Sequence, residues 1–315
     1  MSGIVDILAV ETGMDTNLVE RIMRTAPVRY KTYQIPKRSG GFRIISQPAK
    51  EVKILQRALV DVLVSKLPIH DAATAYREGI SIKENAQRHA GHRPILKMDF
   101  ADFFPSIKAA DWSRYCELTG ALTSFTDIHL TSQLIFQRLK GSSVLRLAIG
   151  APSSPTVSNA LLWEFDEAIS HEVAKDKVTY TRYADDLTFS APRTGYLVNV
   201  EKAVRKVIKL IELPKLVINE GKTTRVTTKY GRRVTGLTLT NDGAVSVGHT
   251  RKRELHTAVY RASKGRLDGD ELANLKGMLG FVNSVEPEFI TTLRNRFGQG
   301  IIQQIQAFPI PKRQR

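Results

Sequence analysis

Three aspartates in this chain have the types and spacing to hold a divalent cation. Tyr183-Ala184-Asp185-Asp186 sets two carboxylates side by side. The residues alternate on both sides, in Val178-Thr179-Tyr180-Thr181-Arg182 and in Leu187-Thr188-Phe189-Ser190, which is the period-two pattern of strands. The tetrapeptide is therefore expected at a tight hairpin tip, where neighbouring carboxylates repel and call for a cation. Asp99 closes the short apolar run Ile95-Leu96-Lys97-Met98 and is followed by a turn and Pro105. A carboxylate at the end of a buried strand is costly without a compensating positive charge. Beside the 185/186 tip, Asp99 completes a three-carboxylate cluster. Magnesium takes oxygen ligands and keeps positions open for water and phosphate. Two such ions about 4 Å apart clamp the attacking and leaving oxygens of an in-line phosphoryl transfer.

The elements around these acids can be read from pattern. Gly150-Ala151-Pro152-Ser153-Ser154-Pro155 opens a helix, with Ser154 suited to the N-cap and Pro155 to the first helical position. Val157, Leu161, Leu162, Phe165, Ile169 and Val173 then form one apolar face at helical spacing. The small residues before this helix, Ala151 among them, let a ligand approach the backbone, and the free amides at its start suit a phosphate. Tyr30 to Ser46 reads as a hairpin around Lys37-Arg38-Ser39-Gly40-Gly41. Residues 1–25 and 50–67 read as helices, as do 110–140. Strands dominate from 178 to about 247, with one basic helix near 197–211. From Thr250 onward about three helices follow, broken at Gly265-Asp268-Gly269 and at Glu286-Pro287.

Composition points to a polyanionic partner. The 315 residues include 47 Lys+Arg against 31 Asp+Glu, a formal charge of +16, which suits nucleic acid or an anionic membrane surface. Between 201 and 235 there are ten Lys/Arg and three acids. Arg251, Lys252 and Arg253, followed by Arg261, Lys264 and Arg266, form a second basic group suited to salt-sensitive phosphate contacts. No apolar run approaches the ~20 residues that span a bilayer, and the N-terminus carries no secretory pattern. The single Cys116 excludes an internal disulfide framework. A reducing, cytoplasmic location is expected.

At this point the chain resembles reverse transcriptases, and within them the bacterial retron type. The strand ending in Asp99, the Gly-Ala-Pro-Ser-Ser-Pro turn and the Tyr-Ala-Asp-Asp hairpin match three core motifs in order. Asn219-Glu220-Gly221-Lys222-Thr223 looks like the family's Asn-x-x-Lys-Thr segment. Two retron-associated signatures are present as Asn85-Ala86-Gln87-Arg88-His89 and Val234-Thr235-Gly236. The resemblance spans roughly residues 27 to 240. One departure is Ile149, where many relatives carry Gln before the Gly-Ala-Pro turn; a contact made by that Gln side chain does not carry over.

The resemblance implies an α+β fold of the right-hand polymerase type. Its parts would be an N-terminal helical segment at 1–25, fingers at 26–95, and a palm at 96–245 interrupted by helices at about 108–148. A short helical thumb would fill 246–315. It implies two magnesium ions (Mg2+) on Asp99, Asp185 and Asp186, with the Phe100 carbonyl as an extra ligand. Phe104 matches the residue under the incoming sugar, where a bulky ring favours deoxynucleotides, and Ala151 lies at the nucleotide. Arg43 would meet the triphosphate, in competition with Lys37 and Arg38. Lys222 would protonate or neutralise the departing pyrophosphate. Asn85, His89, Val234, Thr235 and Gly236 would help recognise a cognate non-coding RNA, together with Arg251, Lys252 and Arg253.

The implied activity is RNA-directed DNA synthesis that copies part of this RNA into single-stranded, msDNA-type DNA. Priming would come from a guanosine 2′-hydroxyl, and an antiphage defence role would involve an effector protein. No RNase H motif set is seen among the ~65 residues after Thr250, so a host RNase H is expected to remove template RNA. Two other readings stand beside this one: a group II intron-like or untemplated relative, and a catalytically inert RNA-binding scaffold.

Overall fold

A computed structural model describes residues 3–37, 40–211 and 213–309. It is mixed helix and sheet, as expected for an α+β chain. The strands are β1 (Tyr30–Pro36), β2 (Phe42–Pro48), β3 (Ile95–Asp99), β4 (Gln137–Arg138), β5 (Leu145–Arg146), β6 (Thr179–Tyr183), β7 (Asp186–Ser190), β8 (Thr224–Val226), β9 (Arg232–Val234), β10 (Leu237–Leu239) and β11 (Val245–Ser246). The helices up to the hairpin are α1 (Ile4–Thr12), α2 (Thr16–Thr25), α3 (Lys50–Val62), α4 (Ile82–Ala90), α5 (Phe103–Ser106), α6 (Ala109–Thr119), α7 (Phe125–Ile135), α8 (Ser154–Leu161) and α9 (Trp163–Ala174). After it come α10 (Val200–Leu210), α11 (His249–Ser263), α12 (Gly269–Val285), α13 (Pro287–Phe297) and α14 (Gln299–Ala307).

The chain divides into two compact units. The first comprises residues 1–80, 96–190 and 195–225. Its four-stranded sheet has the order β6-β7-β3-β8. Strands β6 and β7 pair antiparallel from Thr179↔Ser190 to Tyr183↔Asp186, so the acidic tip forms as the alternation predicts. Ala184 takes a left-handed backbone (φ 56) to make the turn. Inward-facing Leu187 and Phe189 are fully buried, as are Val157, Phe165 and Ile169 on the helices.

The helix expected after Pro155 is two helices. The break falls at Leu162 (φ −95, ψ 9), between α8 and α9. Ser153, not Ser154, occupies the N-cap. The Ser154 hydroxyl instead donates to the Ala148 carbonyl at 2.8 Å, because the preceding turn folds back within its reach.

The β1–β2 hairpin runs in register from Tyr30↔Pro48 to Pro36↔Phe42. It is strapped to the Gly-Ala-Pro turn, since the Ser46 amide donates to the Ile149 carbonyl at 2.8 Å. Gly150 makes this approach possible. Its φ is +116, and a Cβ there would stand 3.0 Å from Ile45 Cγ2 and 3.1 Å from the Ser46 carbonyl oxygen.

The second unit comprises residues 81–95, 191–194 and 226–315. It builds a core from α4, the sheet β11-β10-β9 and the C-terminal helices, with Ala86, Val234, Leu237, Leu255, Leu275, Leu279 and Leu293 all buried together. Among the described residues the C-terminal region holds four helices where about three were expected. The additional break is at Gly298, whose left-sided φ of 88 separates α13 from α14.

Gly150→Ala is expected to destabilise the protein, because the position combines a φ unsuited to L side chains with two contacts under 3.2 Å. Such strain is worth on the order of 1–3 kcal/mol. Thermal unfolding measures it, and an unchanged Tm would show that the strap between β2 and the 149–152 turn is not tight.

Candidate active site

The site is assembled where β3 ends beside the β6–β7 turn. The Phe100 amide donates to the Asp185 carbonyl at 3.1 Å, and the Asn219 amide to the Asp99 carbonyl at 2.7 Å. These two bonds tie the end of β3 to the acidic tip on one side and to the Asn-x-x-Lys-Thr segment on the other. Asp99 is 4% exposed. Its carboxylate lies within hydrogen-bonding reach of Asp186 and accepts a bond from Lys222 Nζ at 2.8 Å.

Charge is concentrated here. Burial first, and then the charges of Asp185 and Asp99, raise the Asp186 carboxyl to about 6 against the opposing Lys97 ammonium. Burial, followed by the Asp99 charge, also raises Asp185, against Lys222 and Arg43. The hydrogen bond to Asp99 raises Lys222 above its ordinary value and holds it protonated. Lys222 is steadied from behind: Glu220, two residues earlier, makes a two-pronged pair with Arg205 of α10 at 2.6 and 2.7 Å. The basic face of α10 thus serves in part to position this loop.

Asp99 and Asp185 lie close enough to act on the Asp186 carboxyl, but the three carboxylates do not form a finished cage. Among the described residues, no three Asp, Glu, His or Cys side chains converge tightly enough to hold a metal ion. Lys222 shares Asp99 with Asp186 instead. The donor set nonetheless fits a hard cation, being all carboxylate oxygen with two of its members pushed above their ordinary pKa by burial and mutual repulsion.

Other expected residues separate into those at the site and those away from it. Phe103 is the core aromatic, stacked 5.8 Å from Phe100. Phe104 is half-buried and faces Tyr76 at 6.5 Å between ring centroids. Phe100 itself is 2% exposed, edge-on to Phe165. Arg43 is exposed on β2, and its charge acts on Asp185. Lys37 lies at the tip of that hairpin, and Arg38 lies outside the described residues. Ala151 is buried and Ile149 half-buried.

The retron signatures are placed differently from a direct RNA-reading surface. Asn85, His89 and Val234 have no exposed surface. Burial pushes His89 down to about 3, so its imidazole is neutral. Thr235 (φ 46) and Gly236 (φ 81) form the turn between β9 and β10, the left-handed pair of a tight hairpin. The Thr235 hydroxyl donates to the Ile82 carbonyl at 3.1 Å, so the two signatures, 153 residues apart, fold onto each other. In the thumb-like helices, Lys252 is bonded to Glu286 and lies over the Phe289 ring. Arg251 lies over Phe281 at 5.0 Å, and Arg253 is exposed.

Sequence reading missed the support beneath the acidic turn. Arg182 and Asp166 are both fully buried and pair at 2.6 Å. Burial opposes the Arg182 charge, but the Asp166 carboxylate outweighs it and the guanidinium stays above its ordinary pKa. Arg182 Nη1 also donates to Asn159 Oδ1 at 3.1 Å and to the Ala184 carbonyl at 3.2 Å. Tyr180 completes the set by donating to Asp166 at 2.7 Å. A signal was present, since Arg182 breaks a buried strand pattern and Asp166 stands among the apolar positions 162, 165 and 169 of a helix.

Comparison with known proteins followed the same lines. The family model described as reverse transcriptase (RNA-dependent DNA polymerase) matches residues 35–239. The chain is 35% identical over 290 residues to the Retron Ec83 reverse transcriptase of Escherichia coli, covering 91% of this chain and 93% of that protein. It is 32% identical over 304 residues to the Retron Ec73 reverse transcriptase of Escherichia coli, covering 92% and 94%. Among solved structures, a telomerase of Candida albicans in complex with a telomeric RNA fragment aligns with a TM-score of 0.46 and 15% identity, over 91% of this chain and 62% of that one.

Two outcomes follow from this electrostatics. Arg182→Met leaves Asp166 buried without its partner, at about 3–5 kcal/mol, whereas Arg182→Met with Asp166→Leu removes both charges and loses far less. Denaturant unfolding should rank the double variant above the single one; the reverse order would refute the pairing. For Asp186 the folded pKa (about 6) exceeds the ordinary 3.8, so the metal-free fold loses stability as pH rises through that window. Asp186→Asn should therefore melt higher than the metal-free wild type above pH 6 and equal to it below pH 3.8. A difference independent of pH would contradict this.

Proposed function

This chain belongs to the reverse transcriptase family, in its retron branch, and on that premise we propose that it copies part of a cognate non-coding RNA into single-stranded DNA at the Asp99–Asp185–Asp186 site. RNA-directed DNA polymerase activity and a nucleic-acid partner are properties of the family; the residue roles, the metals, the priming and the defence setting are our reading. The observation that carries the site is the meeting of three aspartates at two strand ends, with burial and repulsion raising two of them.

Divalent cations at such carboxylates activate an attacking hydroxyl and stabilise a leaving pyrophosphate. Two magnesium ions are our reading for this chain, held by Asp99, Asp185 and Asp186 with the Phe100 carbonyl. Lys222, kept protonated by Asp99, has the charge and the proton to meet the pyrophosphate as it departs. Arg43, exposed on β2, offers a second positive charge to the triphosphate. The half-buried Phe104 ring supports the role of excluding a 2′-hydroxyl, and Ala151 leaves room for the nucleotide. The nucleotides used are deoxynucleoside triphosphates.

In this reading β1–β2 belongs to the fingers, the four-stranded sheet to the palm and α11–α14 to the thumb. RNA contact falls to exposed members of the basic groups, such as Arg233 and Arg253, and to the exposed Gly236 of the β9–β10 turn. Asn85, His89 and Val234 support that surface from within. Family membership extends the proposal to priming from a guanosine 2′-hydroxyl, removal of template by a host RNase H, and an effector protein in antiphage defence. No helix among the described residues is long and apolar enough to cross a membrane, and a cytoplasmic site of action completes the reading.

The test is to purify the protein expressed with its native flanking DNA and to resolve the co-purifying nucleic acid on denaturing gels, with and without RNase and DNase. A discrete DNA that shortens with RNase is expected from the wild type. Asp185→Asn should lose this DNA by at least a hundredfold while retaining the RNA. Full-length DNA from that variant would remove the assignment of the metal site.

A further inference from the structure

Tyr76 is the one large aromatic at this site that no motif accounts for. It is 46% exposed, and its backbone is left-handed at φ 60. A bulky side chain there is strained, and such strain persists only where the surroundings impose it. Five non-glycine residues have positive φ among the described residues: Tyr76, Asp102, Lys177, Ala184 and Thr235. Three of these surround the catalytic turn. Ala184 makes the turn, Asp102 introduces Phe103 and Phe104, and Tyr76 faces Phe104.

The surroundings that hold Tyr76 are buried and specific. Residues 72 to 75 have at most 5% exposure. The Arg182 amide donates to the Ala72 carbonyl at 2.7 Å, and the Thr74 amide to the Arg182 carbonyl at 2.8 Å. The Ala75 carbonyl accepts from Asn159 Nδ2 at 2.8 Å. Asn159 Oδ1 in turn accepts from Arg182 Nη1, which also holds the Ala184 carbonyl. Beyond Tyr76, Arg77 Nη1 turns back to the His70 and Ala73 carbonyls, each at 3.3 Å. One guanidinium therefore fixes both the acidic turn and the segment that presents Tyr76.

The position of the ring is informative. It is tilted 43° to Phe104 with centroids 6.5 Å apart. Its hydroxyl is raised above the ordinary value by burial and then by the Asp185 charge, with Arg43 opposing. It thus lies within the field of the acidic tip, the fingers cation and the sugar-facing ring at once. Two tilted rings, the Tyr76 side exposed and the Phe104 ring half-buried, beside a phosphoryl-transfer site suit the flat base and sugar of a nucleotide.

We propose that Tyr76 is a nucleotide-contacting residue, forming with Phe104 the wall against which the incoming deoxynucleoside triphosphate is seated. This rests on the assignment of the three aspartates and Phe104 as a polymerase site. The ring supplies the contact. The left-handed backbone aims the ring, and the Arg182–Asn159 relay keeps it in register with Asp185.

The experiment is single-nucleotide extension by the purified full-length chain on an annealed RNA template and DNA primer, comparing wild type, Tyr76→Gly and Tyr76→Phe. Glycine removes the ring and relieves the strain, so Tm should be equal to or above wild type. The KM for deoxynucleotide should rise roughly tenfold, in keeping with the loss of one aromatic contact to a base, with the KM for template–primer unchanged. Tyr76→Phe should keep the wild-type KM. An unchanged nucleotide KM in Tyr76→Gly overturns the proposal, as does a loss confined to template–primer affinity. A Tyr76→Phe defect equal to that of glycine also overturns it, by assigning the effect to the hydroxyl. A wild type that extends no annealed primer and also yields no DNA when expressed with its native flanking DNA would instead bring down the polymerase reading beneath it.

Discussion

Arg182 and Asp166 are two full charges with no solvent exposure, 2.6 Å apart in the middle of the first unit. Each alone would be strongly destabilising in that position, so neither is free to move away from the other. Three neighbouring polar groups complete the pair: Tyr180 on Asp166, and Asn159 and the Ala184 carbonyl on Arg182. Because β6, α8, α9, the acidic turn and the 72–76 segment all contribute a group, satisfying one ion pair fixes five pieces of backbone. The placement of the acidic turn depends on this constraint.

Above that anchor the balance reverses. Asp99, Asp185 and Asp186 are close together, and Lys222 and Lys97 offset only part of their charge. A site intended for cations carries this repulsion as a standing cost, because residues that neutralised it fully would compete with the ligand. Lys222 occupies a middle position. It bonds to Asp99, yet its side chain keeps 55% of its surface exposed, so it belongs to the site and to the solvent.

The second unit shows that a sequence signature does not reveal burial. Asn85, His89 and Val234 were expected to help recognise RNA, and all three are interior, so any such part is indirect. The bond from Thr235 to Ile82 explains their pairing in structural terms, since the tight β9–β10 turn docks on the first turn of α4. Lys252 was read as a phosphate contact and is bound to Glu286. Charge along a sequence records what a segment carries, whereas accessibility depends on partners that arrive from elsewhere.

What the sequence by itself determined was everything that follows from local periodicity and residue chemistry. The alternation around residues 183–186 specified a hairpin, the apolar run before Asp99 specified a buried strand, and three carboxylates in this pattern raised the expectation of a cation site. Gly150 was visible as part of a turn. The break at Leu162 was missed because no Gly or Pro marks it, whereas the break at Gly298 was missed although a glycine stands there. Only the tertiary structure decided that Lys222 reaches Asp99 across 123 residues, that Arg182 is matched by Asp166, and that Tyr76 stands beside Phe104. Those contacts join segments with no common period. They form because burying a charge or straining a backbone is tolerable only when packing brings the compensating group, and that group can lie anywhere along the chain.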